Sequence, residues 1–283
     1  MKIFFIGWNQ NGEKCLRILL KQGYKVDHVI VPSGFDTSSM YGIANRHAVP
    51  ISENNGDMSK LIKMIRQSKP DLIIMASFPK LISQEIIDYP KLGTINVHTG
   101  ELPKYRGYHP LNWAIIRDEK FIGVTVHYVD RGMDSGNILG QGRVALTNTD
   151  DINTVKNKLT ALGSKILVKI VRKISKSQKK LEGIEQRDSE VIFSPKRLPQ
   201  DGKIKWTNNA RDIFNLVRAL KFPYDNGFAL RSDGTKITFS KSFLSKNVGL
   251  VLAKVQKYYL IVVGDGVVLL KTESQLKIGE YLK

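Results

Sequence analysis

The sequence predicts an α/β fold: a Rossmann-like, mostly parallel sheet covered by helices, followed by a smaller β-rich, barrel-like domain at the C-terminus. Three observations predict it. Across the first 145 residues short apolar runs alternate with amphipathic stretches, the rhythm of strands joined by crossover helices. From Ile152 to Ile174 apolar side chains recur every three to four positions, the buried stripe of one long helix. Beyond Lys180 short apolar runs are broken by Asp233-Gly234, Asn247-Val248-Gly249 and Gly264-Asp265-Gly266, turn signals between short strands. The expected division is residues 1–180 for the main domain and 181–283 for a linker segment, a short helix and a small β (OB-like) domain.

Element by element, Lys2 to Gly7 reads as a strand, and Gly12 to Gln22 as a helix with Cys15, Leu16, Leu19 and Leu20 on one face. Val26 to Val31 is a strand, Asp57 to Ser68 a helix and Leu72 to Ala76 a strand. Strands at Gly93 to His98, Ile122 to Asp130 and near Ile138 to Ala145 complete the sheet, with a helix at Pro110 to Arg117. Ser175-Lys176-Ser177-Gln178-Lys179-Lys180 is free of apolar residues and reads as a linker or solvated helix end, and Ala210 to Leu220 as a short helix. In open sheets of this kind functional sites form at the carboxyl ends of the strands.

Composition narrows the function classes. The chain has 283 residues, 42% hydrophobic and 25% charged, which suits a globular protein with a substantial core. The opening apolar run Ile3 to Ile6 is too short to span a bilayer and lacks a small-residue cleavage site, so a cytoplasmic protein without a membrane segment is expected. The single cysteine, Cys15, reads as a core residue. A net charge of +18 attracts phosphates of nucleic acid, anionic membrane or nucleotide without choosing among them. The cations are spread along the chain with a modest cluster from Lys165 to Lys180, as solvated surfaces would have them. The five histidines are scattered, so no zinc site is expected. Gly7-Trp8-Asn9-Gln10-Asn11-Gly12 lacks the Gly-x-Gly-x-x-Gly fingerprint, so no dinucleotide is expected there.

The candidate chemistry sits on two segments. In Gly93-Thr94-Ile95-Asn96-Val97-His98-Thr99-Gly100 the strand period places Asn96 and His98 on one face, at the strand end and before a loop rich in Gly and Pro. Alone, this also describes a hydrogen-bonded structural histidine. In Asp130-Arg131-Gly132-Met133-Asp134-Ser135-Gly136 two glycines bracket Asp134, which by spacing alone reads as a tight turn using glycine's conformational freedom.

Together, the Asn-x-His, the following Leu102-Pro103-Lys104-Tyr105-Arg106-Gly107 and the Val129-x-x-x-x-Asp134 segment resemble the folate-dependent formyltransferases, from about Lys2 to Ala145 and more weakly from Pro195 onward. The resemblance implies a formyl transferase using 10-formyltetrahydrofolate as co-substrate, with Asn96, His98 and Asp134 in the catalytic positions and His127 matching a further active-site histidine of some members. It implies a folate pocket at Phe78, Leu81 and Ile82, completed near Asp130 and Gly132. No covalent intermediate and no metal are required by that chemistry.

Members of this family act on glycinamide ribonucleotide, methionyl-tRNA or nucleotide-linked amino sugars. The tRNA enzymes carry a basic insertion after the second strand, whereas Pro32 to Tyr41 contains neither Lys nor Arg. Tyr108-His109-Pro110-Leu111-Asn112-Trp113 is closer to the sugar enzymes. The resemblance therefore implies a nucleotide-linked amino sugar, a thymidine diphosphate 4-amino-4,6-dideoxyhexose destined for surface polysaccharide, with nucleic acid disfavoured and a homodimer left open. Asn9, Lys80, Tyr105, Arg106 and Tyr224 are the candidate acceptor contacts, the two cations for diphosphate and the two tyrosines for stacking on the base. Methionyl-tRNA formylation and a non-catalytic basic binding protein on the same fold are the alternatives.

Overall fold

The computed structural model describes residues 1–231, 233–244, 254–255, 258–263 and 266–276. The chain divides into two compact units, one built from Met1–Gly107, Gly123–Val144 and Asn157–Phe193, the other from Tyr108–Ile122, Ala145–Lys156 and Ser194–Lys283.

In chain order the first elements are β1 (Lys2–Gly7), α1 (Asn9–Lys21), β2 (Lys25–Pro32), α2 (Ser38–Arg46), β3 (Ile51–Asn54), α3 (Met58–Ser68), β4 (Leu72–Ala76), α4 (Gln84–Asp88), β5 (Thr94–His98) and β6 (Lys104–Gly107). They are followed by α5 (Pro110–Ile116), β7 (Phe121–Tyr128), β8 (Ile138–Ala145), α6 (Ile152–Ser177) and β9 (Ile192–Ser194). The sheet of the first unit runs β3-β2-β1-β4-β5-β7-β8. From β3 to β5 neighbouring strands are parallel, and β7 lies antiparallel to β5.

The consecutive residues Ile3, Phe4, Phe5 and Ile6 of β1 are all fully buried. Both faces of the strand must be covered, as a parallel sheet between helix layers requires. On one face Phe4, Ile6, Ile30, Ile73 and Met75 pack with Leu61 and Ile65 of α3 and Ile86 of α4. The Asp57 carboxylate caps α3 by accepting from the Lys60 N–H at 2.9 Å.

The structure extends the sequence reading in several places, adding α4, β6 and β9 to it. The first helix begins at Asn9 rather than Gly12, and Asn11 in its first turn is buried, its amide donating to the Val97 carbonyl at 3.0 Å and to Ser77 Oγ at 3.3 Å. Helix α2 and the short strand β3 carry too few apolar residues at regular spacing to announce themselves. Helix α6 continues to Ser177, so the polar segment read as a linker or solvated helix end begins as the helix end.

The second unit contains α5 and then α7 (Ala210–Ala219), β10 (Gly227–Leu230), β11 (Lys236–Phe239), β12 (Lys241–Leu244), β13 (Lys254–Val255), β14 (Tyr258–Val263) and β15 (Gly266–Lys271). Its β-rich part takes the form of a β10-β11 hairpin and an antiparallel sheet ordered β12-β15-β14-β13. Ile213, Phe214 and Val217 of α7 pack with Ile237, Phe239, Val268 and Leu270 in one core. Asp233-Gly234 forms the β10-β11 turn, with Gly234 at φ 87. Asn247-Val248-Gly249 and Gly264-Asp265 lie outside the described residues.

Among the described residues no helix is long and apolar enough to cross a membrane, and no group of three or more His, Cys, Asp or Glu side chains could hold a metal ion.

Candidate active site

The site is built at the carboxyl end of β5, where the antiparallel register of β5 and β7 sets Asn96 opposite His127 and His98 opposite Thr125. Strand alternation turns Asn96 and His98 to the same face. The loop after β7 then brings Asp134 over them. Its Oδ2 lies 3.5 Å from His98 Nδ1 and accepts from the Gly107 N–H at 3.0 Å. Its Oδ1 lies 3.5 Å from both His127 Nε2 and the Asn96 amide nitrogen. Asn96 Nδ2 is also 3.3 Å from His127 Nε2. Four residues spread over 38 positions of chain thus share one cluster.

The ring orientations follow from carbonyl partners, which can only accept. His98 Nε2 lies 2.8 Å from the Tyr105 carbonyl and so donates to it, leaving Nδ1 directed at Asp134. His127 Nδ1 donates to the Tyr128 carbonyl at 2.6 Å, which leaves Nε2 to face Asn96 and Asp134. Both imidazoles are buried. Burial by itself would raise the Asp134 carboxyl. The charge of His98, the hydrogen bond and charge of His127 and the Gly107 N–H outweigh it and hold the group well below the usual carboxylate range. Asp134 is therefore an anion across the physiological range, and the contacts at 3.3–3.5 Å to Asn96 and His98 are loose enough for a substrate atom to compete for them.

The backbone beneath the cluster is strained. Asp134 holds φ 53, and Asn9, Ser77 and Tyr105 of the same unit also sit at positive φ. This corrects the reading of the bracketing glycines. The left-handed residue is Asp134 itself, and the glycines serve close approach. A Cβ at Gly136 would lie 2.0 Å from the Tyr128 carbonyl oxygen, and one at Gly132 would lie 2.0 Å from Ser135 Oγ.

Around the loop after β4, Phe78 and Ile82 are half-buried and pack with Val129 against the core, whereas Leu81 is 74% exposed. The Asp130 carboxylate accepts from the Gly132 N–H at 3.1 Å and from Ser135 Oγ at 2.7 Å, closing the loop that carries Asp134. Lys80 is exposed, its methylenes running beside Gly56. Asn9 Oδ1 accepts from the Asn11 N–H at 2.9 Å, inside its own turn. Tyr224 belongs to the second unit, where its ring meets His109 edge-on at 6.0 Å and lines a cavity with Arg197 and Asn226.

Two expectations are corrected. Tyr105 is 4% exposed, so its ring is not presented to a base; it contributes its carbonyl to His98 instead. Arg106 is 6% exposed and committed to Gln186 Oε1 at 2.9 Å and to Asp188 at 3.6 Å, so its guanidinium does not reach out to a diphosphate. Sequence reasoning missed Asn11 and Gln186. A polar residue within the otherwise apolar face of α1 was the available signal for Asn11. Gln186, in an irregular segment after α6, carried none.

Known proteins agree on one family. Residues 1–171 match the family model described as formyl transferase, and residues 197–281 the model described as formyl transferase, C-terminal domain. The chain is 34% identical over 252 residues to the bifunctional polymyxin resistance protein ArnA of Wigglesworthia glossinidia brevipalpis, covering 87% of this chain but only 38% of that protein. It is 31% identical over 240 residues to the methionyl-tRNA formyltransferase of Thermodesulfovibrio yellowstonii, covering 82% of this chain and 77% of that one. The N-formyltransferase of Helicobacter canadensis, solved with folinic acid and dTDP-3-aminofucose, shares the fold at a TM-score of 0.73 and 21% identity, over 96% of this chain and 99% of that one.

Proposed function

The chain belongs to the formyl transferase family, and from that premise we propose that it moves a formyl group from 10-formyltetrahydrofolate to the amine of a nucleotide-linked amino sugar. The observation that carries the reading is the convergence of Asn96, His98 and Asp134 at the end of β5. When a neutral amine attacks a formyl carbon, negative charge grows on the formyl oxygen and positive charge on the amine nitrogen. The Asn96 amide and a proton on His98 Nδ1 are the donors for that oxygen, a role whose loss costs roughly a hundred- to a thousandfold. The Asp134 carboxylate takes the proton that the amine sheds as its bond to the formyl carbon forms, directly or through water. As the bond from that carbon to the folate nitrogen breaks, the leaving nitrogen takes that proton from Asp134, directly or through water, and tetrahydrofolate departs.

The loop after β4 suits a flat heterocycle: Phe78 and Ile82 supply a half-buried apolar wall, and the turned backbone at Ser77 supplies peptide groups. Asp130 and Gly132 complete this part of the proposal, with Leu81 as an exposed apolar contact. For the acceptor, Lys80 is the exposed cation proposed to meet the diphosphate, with Asn9 and Tyr224 as further contacts. Residues 1–180 are proposed as the catalytic domain and 181–283 as the linker and small β domain, in a cytoplasmic protein.

Two observations support a sugar acceptor. The H. canadensis structure holds a thymidine diphosphate amino sugar. The segment from Pro32 to Tyr41 carries no cation, and its Phe35 packs on Trp8 with ring centroids 4.2 Å apart. Methionyl-tRNA formylation is the second reading, favoured by the T. yellowstonii relative. A panel of thymidine-, uridine- and guanosine-linked amino sugars, run beside initiator methionyl-tRNA with 10-formyltetrahydrofolate while tetrahydrofolate release is followed, separates them. Turnover of a thymidine diphosphate 4-amino sugar supports the proposal. Efficient formylation of the tRNA with no sugar turned over replaces it.

A further inference from the structure

Gln186 lies between α6 and β9 and is 7% exposed, with both ends of its amide committed. Its Nε2 donates to the carbonyls of Asp134 and of Gly136, each at 2.8 Å. Its Oε1 accepts from Arg106 Nε at 2.9 Å. A guanidinium can only donate, so this bond fixes which end of the amide is oxygen and aims both N–H groups at the turn. Arg106 is itself buried and anchored on Asp188.

The turn needs such a hold. Asp134 sits at φ 53, a conformation that L side chains rarely keep unless the surroundings over-determine it. Its carboxylate must also meet the Gly107 N–H at 3.0 Å, His98 Nδ1 at 3.5 Å and His127 Nε2 at 3.5 Å at once. Fixing the carbonyls of residues 134 and 136 from one side sets the peptide planes on which that geometry depends.

We infer that Gln186, oriented by Arg106, is a positioning residue that holds the Asp134–Gly136 turn so that the Asp134 carboxylate bridges His98, His127 and the Gly107 N–H. Gln186 touches no reacting atom and acts through Asp134, so the inference rests on the proposed role of Asp134 in formyl transfer.

The test uses Gln186→Glu, which keeps the shape and the Arg106 contact but turns an oxygen toward the two carbonyls, and Gln186→Asn, which keeps the amide but is too short to span both. A misplacement of about an ångström costs on the order of a hundredfold in rate. Each variant is expected to lower kcat about ten- to a hundredfold, with KM for folate and for acceptor within about threefold of wild type. On an Asp134→Asn background the same changes are expected to lower kcat by less than about threefold, because the group being positioned is already gone. A full additive loss on that background, or a rise in KM with kcat unchanged, overturns the inference.

Nuclear magnetic resonance of the His98 and His127 ring nitrogens gives a readout that needs no turnover. The groups facing Asp134 are these two rings, the Asn96 amide and the Gly107 N–H. In Gln186→Asn the ring resonances at one fixed pH are expected to move toward those of Asp134→Asn, and unmoved resonances in a folded variant overturn the inference. If wild type transfers no formyl group at all, the functional reading fails while the resonances still decide this one.

Discussion

Gly132 and Gly136 look equivalent in the sequence, one on each side of Asp134, and their replacement by alanine should nevertheless have unequal effects. Neither glycine has the positive φ that alanine resists, so the cost is steric. At Gly136 the new Cβ would lie 2.0 Å from the Tyr128 carbonyl oxygen, a backbone atom fixed by its neighbours in β7. That contact is more than an ångström too short, so the Asp134 turn must move. Overpacking of this kind costs about 1–3 kcal/mol, which for a chain of this size lowers the melting temperature by roughly 3–10 °C. The displacement also withdraws Asp134 from its partners, with kcat expected to fall about a hundredfold. At Gly132 the main obstruction is Ser135 Oγ, 2.0 Å away, which a side-chain rotation relieves at the expense of its hydrogen bond to Asp130, leaving a tight contact of 3.0 Å to Ser135 Cβ. The expected loss is about 1 kcal/mol, with kcat within about threefold. Thermal melts and steady-state formyl transfer on both variants test the reasoning. Equal losses in the two, or the larger loss in Gly132→Ala, would refute it.

Four further outcomes are expected, three of them from the site. His98→Asn and Asp134→Asn should each lower kcat about a hundredfold or more while leaving the far-ultraviolet circular dichroism unchanged, and turnover within about threefold of wild type in both removes the catalytic assignment. The folded Asp134 carboxyl is held below its unfolded value of about 3.9. Its contribution to stability is thus complete above that value and is lost as pH falls toward the folded one, so the stability gap between wild type and Asp134→Asn should be open at neutral pH and close below about pH 4; a gap that widens in acid contradicts this sign. Lys80→Ala should raise KM for a nucleotide-linked acceptor more than KM for folate, and an effect confined to folate moves Lys80 out of the acceptor site. Cys15 is buried and its thiol is pushed up to about 12, so thiol reagents should label it only after denaturant is added.

The sequence by itself determined β1, α1, β2, α3, β4, β5, α5, β7 and β8, the long helix α6 and the β-rich ending, because each announces itself through apolar period and turn residues within one segment. It also placed Asn96 and His98 on one face of a strand, since alternation across a strand is a local property. Only the tertiary structure decided what lies across from them: the register of β5 against β7, which sets His127 beside Asn96, and the left-handed turn that lowers Asp134 onto both. It likewise decided that Arg106 and Tyr105, polar side chains in a loop that reads as solvent-facing, are buried and serve the site from behind. Gln186 shows the limit most directly. Its three hydrogen bonds join residues 50 to 80 positions away. A contact of that separation leaves no period, spacing or turn signal in the chain around it. Burial and hydrogen-bond pairing are properties of the packed chain, and they exist only once distant segments have been brought together.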